Sequence, residues 1–371
     1  MNTVLILSQP TDIHAIAVTE ALARKGVEGV LWYTSDFPTR ATETVRFEKG
    51  RRSVRLHGPE LELSEHGVGT VWNRRPALVI DERRIHPADH DFVEQGCGTF
   101  RRSLLDTLAP EAFWVNPHRA VERTSKLRQH QLALETGLEV PDTLYTNDPE
   151  EIRAFLREHG GQIVYKPFRM TAWRDDTKYY MTYTSLLTEA QLIDDELLSI
   201  VPGIYQALVP KAYELRVTVM GRRAFAAKVL SQETRSGRLD WRRAYDELKM
   251  EPFELPAEVA EQCWALMRRL DIVFGCFDFI VQPDGRYVFL EVNQAGQFLF
   301  VEHDTGQPLL DAFAEFLRQG SVDFEWSPER VSVRYSEVQE AALQRFEREQ
   351  ELHVQEPETT WYEGPGEPPS A

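Results

Sequence analysis

The stretch GCFDFIVQPDGRYVFLEVNQAGQF, residues 275–298, holds the side chains best placed to do chemistry. Two β-rich runs flank Pro283-Asp284-Gly285-Arg286, the composition of a hairpin turn. With the turn centred between Asp284 and Gly285, antiparallel pairing sets Asp278 opposite Glu291. The same register pairs Phe277 with Val292, Phe279 with Leu290 and Val281 with Val288 on the other, core-facing side. Carboxylates facing across strands lie only about 5 Å apart at Cβ, an unfavourable pairing unless a cation offsets it. Asn293, two residues beyond Glu291, projects to the same side and adds a third oxygen donor of the kind Mg²⁺ prefers. Neither His nor Cys joins the trio, which disfavours zinc, and no EF-hand loop is present to suggest calcium. The same spacing also suits a half-exposed hairpin whose polar face simply meets water.

Magnesium on carboxylates commonly takes nucleotide phosphates as its remaining ligands, and phosphates call for cations. Lys126, near a helix start, and Lys166, inside the apolar strand VYKPF, are the candidates; a strand lysine can equally snorkel from a sheet edge. There is no GxxxxGK[ST] loop, no HRD or DFG set and no GxGxxG near the N-terminus, which sets aside Walker-type NTPases, protein kinases and a dinucleotide fold. Arg74 and Arg75 in VWNRRP end a strand where open sheets meet ligands, or else form a surface ion pair.

These residues need a frame. TVLIL (3–7) reads as a strand, followed by a helix from Asp12 to Lys25 whose Ile16, Leu22 and Ala23 face the sheet and which Gly26 stops, then a strand over Val30–Tyr33: an α/β beginning. A helix over Glu122–Thr136 ends at Gly137. Asp148 and Pro149 open another that runs to His159, and Gly160-Gly161 closes it. The strand with Lys166 leads into a mobile loop and strand, TAWRDDTKYYMTYTS, and strand pairs continue to about Val301. Beyond Gly320 the composition turns charged, predicting an exposed helix over Ser336–Glu351 and a disordered end, EGPGEPPSA.

A chain of 371 residues, 42% hydrophobic, suits two or three lobes with real interiors. A net charge of −17 is the wrong sign for broad nucleic-acid binding. Three widely spaced cysteines form neither a disulfide framework nor a thiolate zinc site, which fits a reducing cytoplasm. The N-terminus lacks a basic signal-peptide region, and no apolar run is long enough to span a membrane.

The ordered series of Lys126, VYKPF, YQALVPKAYELRV, FDF and EVNQAGQF resembles the ATP-grasp superfamily over residues 116–315. WVNP, YELRVTVMG, Asp240-Trp241-Arg242 and EVNQAGQFLF make the nearest likeness that of the graspetide synthetases, microviridin-type maturases that form ω-ester and ω-amide bonds; RimK-type glutamate ligases are close relatives. The resemblance implies an α/β chain with an N-terminal open α/β pre-ATP-grasp lobe (1–118) followed by two α+β lobes that clasp ATP (119–204 and 205–320), then a helix and tail (321–371). It implies Lys126 and Lys166 on the ATP phosphates, a hinge around Gln206 and Leu208 for adenine, and Glu214 for ribose. Arg216 and Arg242 would lie near the transferred phosphate, and Asp278, Glu291 and Asn293 would bind Mg²⁺, in agreement with the hairpin. Asp240 is a candidate base or a salt-bridge partner of Arg242. The loop FRMTAWRDDTK departs from the glycine-rich pattern of many such enzymes. Lys228 faces the cleft or turns from it according to whether the turn at Gly221–Arg223 has two or three residues.

A carboxylate is a poor electrophile, so linking it to an alcohol or amine requires activation, here as an acyl phosphate made from ATP. Phosphoryl transfer then needs mainly positioning and charge neutralisation. The resemblance implies that Asp or Glu side chains of a ribosomal precursor peptide, with a leader and a Thr/Asp/Glu-rich core, are joined to Thr or Ser hydroxyls or to a Lys amine; it is compatible with a homodimer. The alternative is a RimK-like ligase that adds an amino acid to a peptide or protein. A non-catalytic nucleotide-binding module is disfavoured by the full set of cations and metal ligands.

Overall fold

Val4, Leu5, Ile6 and Leu7 lack any polar alternation, as suits a strand covered on both faces, and all four are buried. They form β1 (Thr3–Ser8) in a computed structural model that describes residues 3–59, 61–168, 172–174, 179–244 and 247–355. The expected disordered end at 363–371 and, within the expected loop and strand TAWRDDTKYYMTYTS, residues 171 and 175–178 lie outside the described residues. From β1 the chain runs through α1 (Ile13–Arg24) to β2 (Gly29–Tyr33), then a three-stranded meander of β3 (Thr42–Glu48), β4 (Arg51–His57) and β5 (Glu62–Ser64). β6 (Val68–Asn73), α2 (His90–Leu105) and β7 (Phe113–Val115) complete a parallel sheet ordered β2-β1-β6-β7. The Asp12 side chain caps α1, accepting from the His14 N–H at 3.2 Å. Ile16 and Leu22 are buried as expected, whereas Ala23 falls on the solvent side of the helical period.

The helix expected over Glu122–Thr136 is two helices, α3 (His118–Arg123) and α4 (Lys126–Glu135). The break arises because Ser125 leaves helical geometry to cap α4, its hydroxyl accepting from the Arg128 N–H at 3.2 Å. Lys126 thereby becomes the first residue of a helix. β8 (Thr143–Thr146), α5 (Pro149–Glu158, capped by Asp148), β9 (Ile163–Lys166), the short pair β10 (Ala172–Arg174) and β11 (Tyr179–Met181), β12 (Ser185–Leu187), α6 (Asp195–Ile200) and β13 (Gly203–Ala207) follow. Four of these strands pair in the order β12-β9-β13-β8.

The largest sheet, β16-β15-β14-β17-β18, is antiparallel and comprises β14 (Tyr213–Met220), β15 (Arg223–Val229), β16 (Met250–Phe253), β17 (Phe274–Val281) and β18 (Tyr287–Asn293), with α7 (Ala257–Arg269) inserted before β17. Its Leu215, Val217, Phe277 and Phe279 pack with Leu266 and Met267 of α7 in one buried cluster. α8 (Leu299–Thr305), α9 (Leu309–Gln319) and α10 (Tyr335–Leu352) end the described chain. Among the described residues no helix is long and apolar enough to cross a membrane.

α10 is not the exposed appendage its charged composition suggests. Val338 and Ala342, one helical turn apart, are buried in the cluster that holds α1, and Arg345 pairs with Glu20 of α1 at 3.1 Å. At its end His353 lies between Asp36 (2.6 Å) and Glu349 (3.1 Å). Burial works against the imidazolium, but the two carboxylates raise its pKa to about 9. This lies above the unfolded value of about 6.5, so the stabilisation is complete below that pH and is lost as pH rises through 9. The melting-temperature gap between the native chain and His353→Gln should therefore be widest near pH 6 and close in more alkaline buffer. A gap constant across the series would remove the imidazolium from the account.

Candidate functional site

β17 and β18 pair Asp278 with Glu291 and Phe277 with Val292, as the hairpin pattern predicts. Toward the turn the register shifts: Phe279 pairs with Phe289 and Val281 with Tyr287, in place of Leu290 and Val288. The turn explains the shift. Gln282 N–H donates to the Arg286 carbonyl (3.0 Å), so three residues, Pro283 to Gly285, make the turn, with Gly285 at φ +89°. A turn centred on Asp284 is half a residue out of step, and a β-bulge restores the Asp278–Glu291 pair. Leu290 is the extra residue; it and Glu291 both line the cleft, and its carbonyl accepts from His130 Nε2 at 3.1 Å. Tyr145 donates to His130 Nδ1 at 3.0 Å.

On the other side of β17, Arg216 of β14 pairs with Asp278, so Arg216, Asp278 and Glu291 form one row across the sheet. The Arg216 Nη1 donates to both Asp278 oxygens, at 3.0 and 3.1 Å, and Nη2 to the Gln297 carbonyl at 3.0 Å. The two carboxyls are pushed apart in pKa. Burial and the nearby Glu291 charge raise Asp278 despite Arg216. Burial also opposes the Glu291 charge, but Lys126, Lys166 and Arg242 together hold that carboxyl below its usual range.

Lys126 Nζ lies 3.1 Å from Glu291 Oε2, brought there by the start of α4. Lys166, the last residue of β9, lines the same cleft, and its ammonium makes no hydrogen bond or ion pair among the described residues. Burial pushes its pKa down to about 8, with Glu291 opposing. Glu214, two residues before Arg216 and on the same face, receives Lys211 Nζ at 2.9 Å, and that ammonium also donates to the Leu239 carbonyl at 3.2 Å. Burial raises the Glu214 carboxyl and Lys211 counters it. Arg242 grips Asp240 through Nε (2.8 Å) and Nη2 (2.7 Å). Burial opposes the Asp240 charge, yet the Arg242 bonds hold its pKa at about 2. Of its two readings, Asp240 forms the salt bridge. Its Oδ2 also accepts from the Thr184 N–H at 3.4 Å.

Gln206 and Leu208 border the cleft beside Lys211, the buried Gln206 donating to Thr143 Oγ1 at 3.0 Å. Two residues singled out from sequence do not line the cleft: Arg216 is buried beside Asp278 in the same row of the sheet, and Asn293 is exposed at the end of β18, its Oδ1 accepting from the Ala295 N–H at 2.9 Å. The Asp278–Glu291 pair offers only oxygen donors to the cleft, because the neighbouring Cys276 sulfur is buried toward Thr218 and the Gln297 carbonyl. Such a donor set fits a hard divalent cation. Lys228 faces away: the β14–β15 turn has two residues between Met220 and Arg223, and the ammonium sits 4.6 Å from the centre of the Tyr213 ring. Arg74 is no surface residue; it pairs with Asp12 at 2.9 Å, fully buried.

Sequence reasoning missed Lys211, Arg238 and the His130–Tyr145 pair. Only Lys211 left a signal, three residues ahead of an acid on the same short segment. Together the cleft cations Lys126, Lys166, Lys211, Arg238 and Arg242 surround a ligand-sized space in a chain whose overall charge is strongly negative. That is the environment of an anionic ligand.

Residues 3–122 match the family model of the MvdD pre-ATP grasp domain. No curated protein sequence matches the chain. Among solved structures, a RiPP-associated ATP-grasp ligase of Chryseobacterium gregarium, in complex with ADP and a leader and core peptide, is 26% identical, with a TM-score of 0.79 over 86% of this chain and 98% of that one. The macrocyclase MdnC of Microcystis aeruginosa MRC, bound with precursor peptide MdnA, is 28% identical (TM-score 0.76; 85% and 99% covered). The macrocyclase MdnB of the same organism is 30% identical (TM-score 0.71; 85% and 99% covered).

Proposed function

This chain belongs to the graspetide-type ATP-grasp ligases, and from that premise we propose that it is an ATP-dependent peptide macrocyclase that links Asp or Glu side chains of a precursor peptide to Thr or Ser hydroxyls or a Lys amine. Lys166 carries the reading. A strand-end ammonium depressed by burial, with no partner among the described residues, lies in a cleft beside a facing carboxylate pair. An ATP phosphate supplies the missing anion.

In this reading Lys166 and Lys126 hold the phosphates, the Gln206–Leu208 edge receives adenine, and Glu214, once Lys211 yields, accepts from the ribose. Asp278, Glu291 and Asn293 would hold Mg²⁺, which when bound neutralises charge on the transferring phosphoryl group. The peptide carboxylate attacks the γ-phosphorus, ADP leaves, and an acyl phosphate results. Arg242, oriented by Asp240, and Arg216 stabilise charge as a hydroxyl or amine of the same peptide attacks the acyl carbon, and phosphate departs. Holding both partners on one bound peptide supplies the effective concentration that ring closure needs. In this reading the segment between β13 and β14, residues 208–212, joins the two lobes that clasp ATP, whereas the expected boundary at 204 falls inside β13. The cysteines 97, 263 and 276 are all free thiols, which supports a cytoplasmic setting.

Co-expression with any small acidic, Thr-rich open reading frame encoded nearby, followed by mass spectrometry of the peptides, tests the proposal. One water mass lost per bond is the expected product. A mass gain would replace macrocyclisation by RimK-like amino-acid addition, and unmodified peptides throughout would sink both.

A further inference from the structure

The turn that leaves the metal strand, Asn293 to Leu299, is held largely by side chains of the N-terminal lobe. Arg74, at the end of β6, donates through Nη1 to the Ala295 and Gly296 carbonyls, the latter at 3.2 Å. Its Nε and Nη2 are spent on Asp12 (2.9 and 3.5 Å), which Ser8 also supports at 2.9 Å. Asn116 donates to the Gln294 carbonyl (3.0 Å) and the Phe274 carbonyl (2.8 Å) at once, tying the turn to the start of β17. His14 Nε2 accepts from the N–H groups of Phe298 and Leu299, both at 3.2 Å.

What the turn carries explains why such fixing matters. Asn293 Oδ1 is oriented by the Ala295 N–H, so a shift of Ala295 moves the amide oxygen. The Gln297 carbonyl takes one arm of Arg216, whose other arm holds Asp278. Gly296 lies so close beneath the sheet that a Cβ there would collide with the Cys276 side chain and come within 3.1 Å of Arg216 Nη2. The turn therefore has no slack toward the sheet, and Arg74 stops it moving outward.

We propose that Arg74 is a positioning residue for the metal site: through the Ala295 and Gly296 carbonyls, the N-terminal lobe sets the placement of Asn293 and Arg216 and hence the affinity for Mg²⁺ with nucleotide. The inference rests on the reading of Asp278, Glu291 and Asn293 as the metal ligands. A planar fork of donors suits the task, because it spans a carboxylate and two carbonyls that a single ammonium cannot reach together.

The test is ADP binding to the full chain by isothermal titration calorimetry, in EDTA and across a magnesium series, for the native chain and Arg74→Lys. Lysine keeps the charge opposite Asp12 and loses the fork. The magnesium concentration that gives half-maximal tightening of ADP should rise about tenfold or more, the range for groups that orient metal ligands, while ADP affinity in EDTA stays that of the native chain. A magnesium midpoint that does not move, or an equal loss of affinity with and without magnesium, overturns the inference. Should Arg74→Lys fail to fold, Asp12→Asn with Arg74→Gln takes its place; it leaves no buried charge unpaired and keeps a side chain able to cap α1. If native protein binds no ADP at any magnesium concentration, the nucleotide reading itself falls, and the inference with it.

Discussion

Glu291→Gln should abolish ADP release from ATP in the presence of precursor peptide and leave the chain folded. The carboxylate faces Asp278 directly and is 30% exposed to the cleft, so the isosteric amide fits the same space with no new buried group. Replacing one of two opposed carboxylates relieves their repulsion, but Lys126, Lys166 and Arg242 hold the Glu291 carboxyl below its usual range, so its charge stabilises the fold at neutral pH and the melting temperature should fall modestly while the chain stays folded. Function loses on two counts. The oxygen ligand proposed for Mg²⁺ becomes neutral, and Lys126 forfeits its 3.1 Å partner while Lys166, already pushed down to about 8, loses the charge that kept it from falling further. The expected loss in turnover is at least about a hundredfold, the upper end for groups that merely orient metal ligands. A coupled ADP assay at saturating magnesium, paired with thermal melts, decides it. Turnover like that of the native chain would refute the metal assignment.

Arg216→Met should cost stability as well as activity. Asp278 would lose both of its hydrogen bonds in a site where burial already raises its pKa, and breaking a buried pair by removing one partner costs about 3–5 kcal/mol. Adding Asp278→Asn removes the stranded charge, so the double variant should regain most of the stability in a denaturant titration and none of the turnover. That split separates a structural ion pair from a catalytic one within a single cycle. If the single variant unfolds at the native denaturant midpoint, the pair bears little of the fold.

Much of this was written locally. Alternation of period two and a Pro-Asp-Gly turn point to the Asp278–Glu291 pair, but the three-residue turn alone would set Asp278 opposite Leu290, and the bulge is what brings Glu291 opposite. Asp148-Pro149 and Gly160-Gly161 bound α5 by chemistry that operates within a turn of helix. Lys166 could be placed on its strand by composition alone. The bulge at Leu290 was harder to see, since it depends on whether the turn spends two residues or three, a choice of half a register step.

The remaining features have no local signature. Arg74 meets Ala295 from 221 residues away and His353 meets Asp36 from 317. Neither charge differs in its own surroundings from a surface arginine or histidine. The same is true of α10, whose composition reads as solvated until α1 presents an apolar stripe to it, and of Lys228, which a two-residue turn sends to the Tyr213 side of the sheet. The sequence by itself determined the hairpin, its two acidic side chains and the order of cationic elements, because these follow from spacing along one or two strands. Only the tertiary structure decided which cations are already paired, that Asp240 binds Arg242, and that Arg74 grips the turn that leaves β18. Those outcomes depend on what burial costs each charge and on which distant partner offsets it.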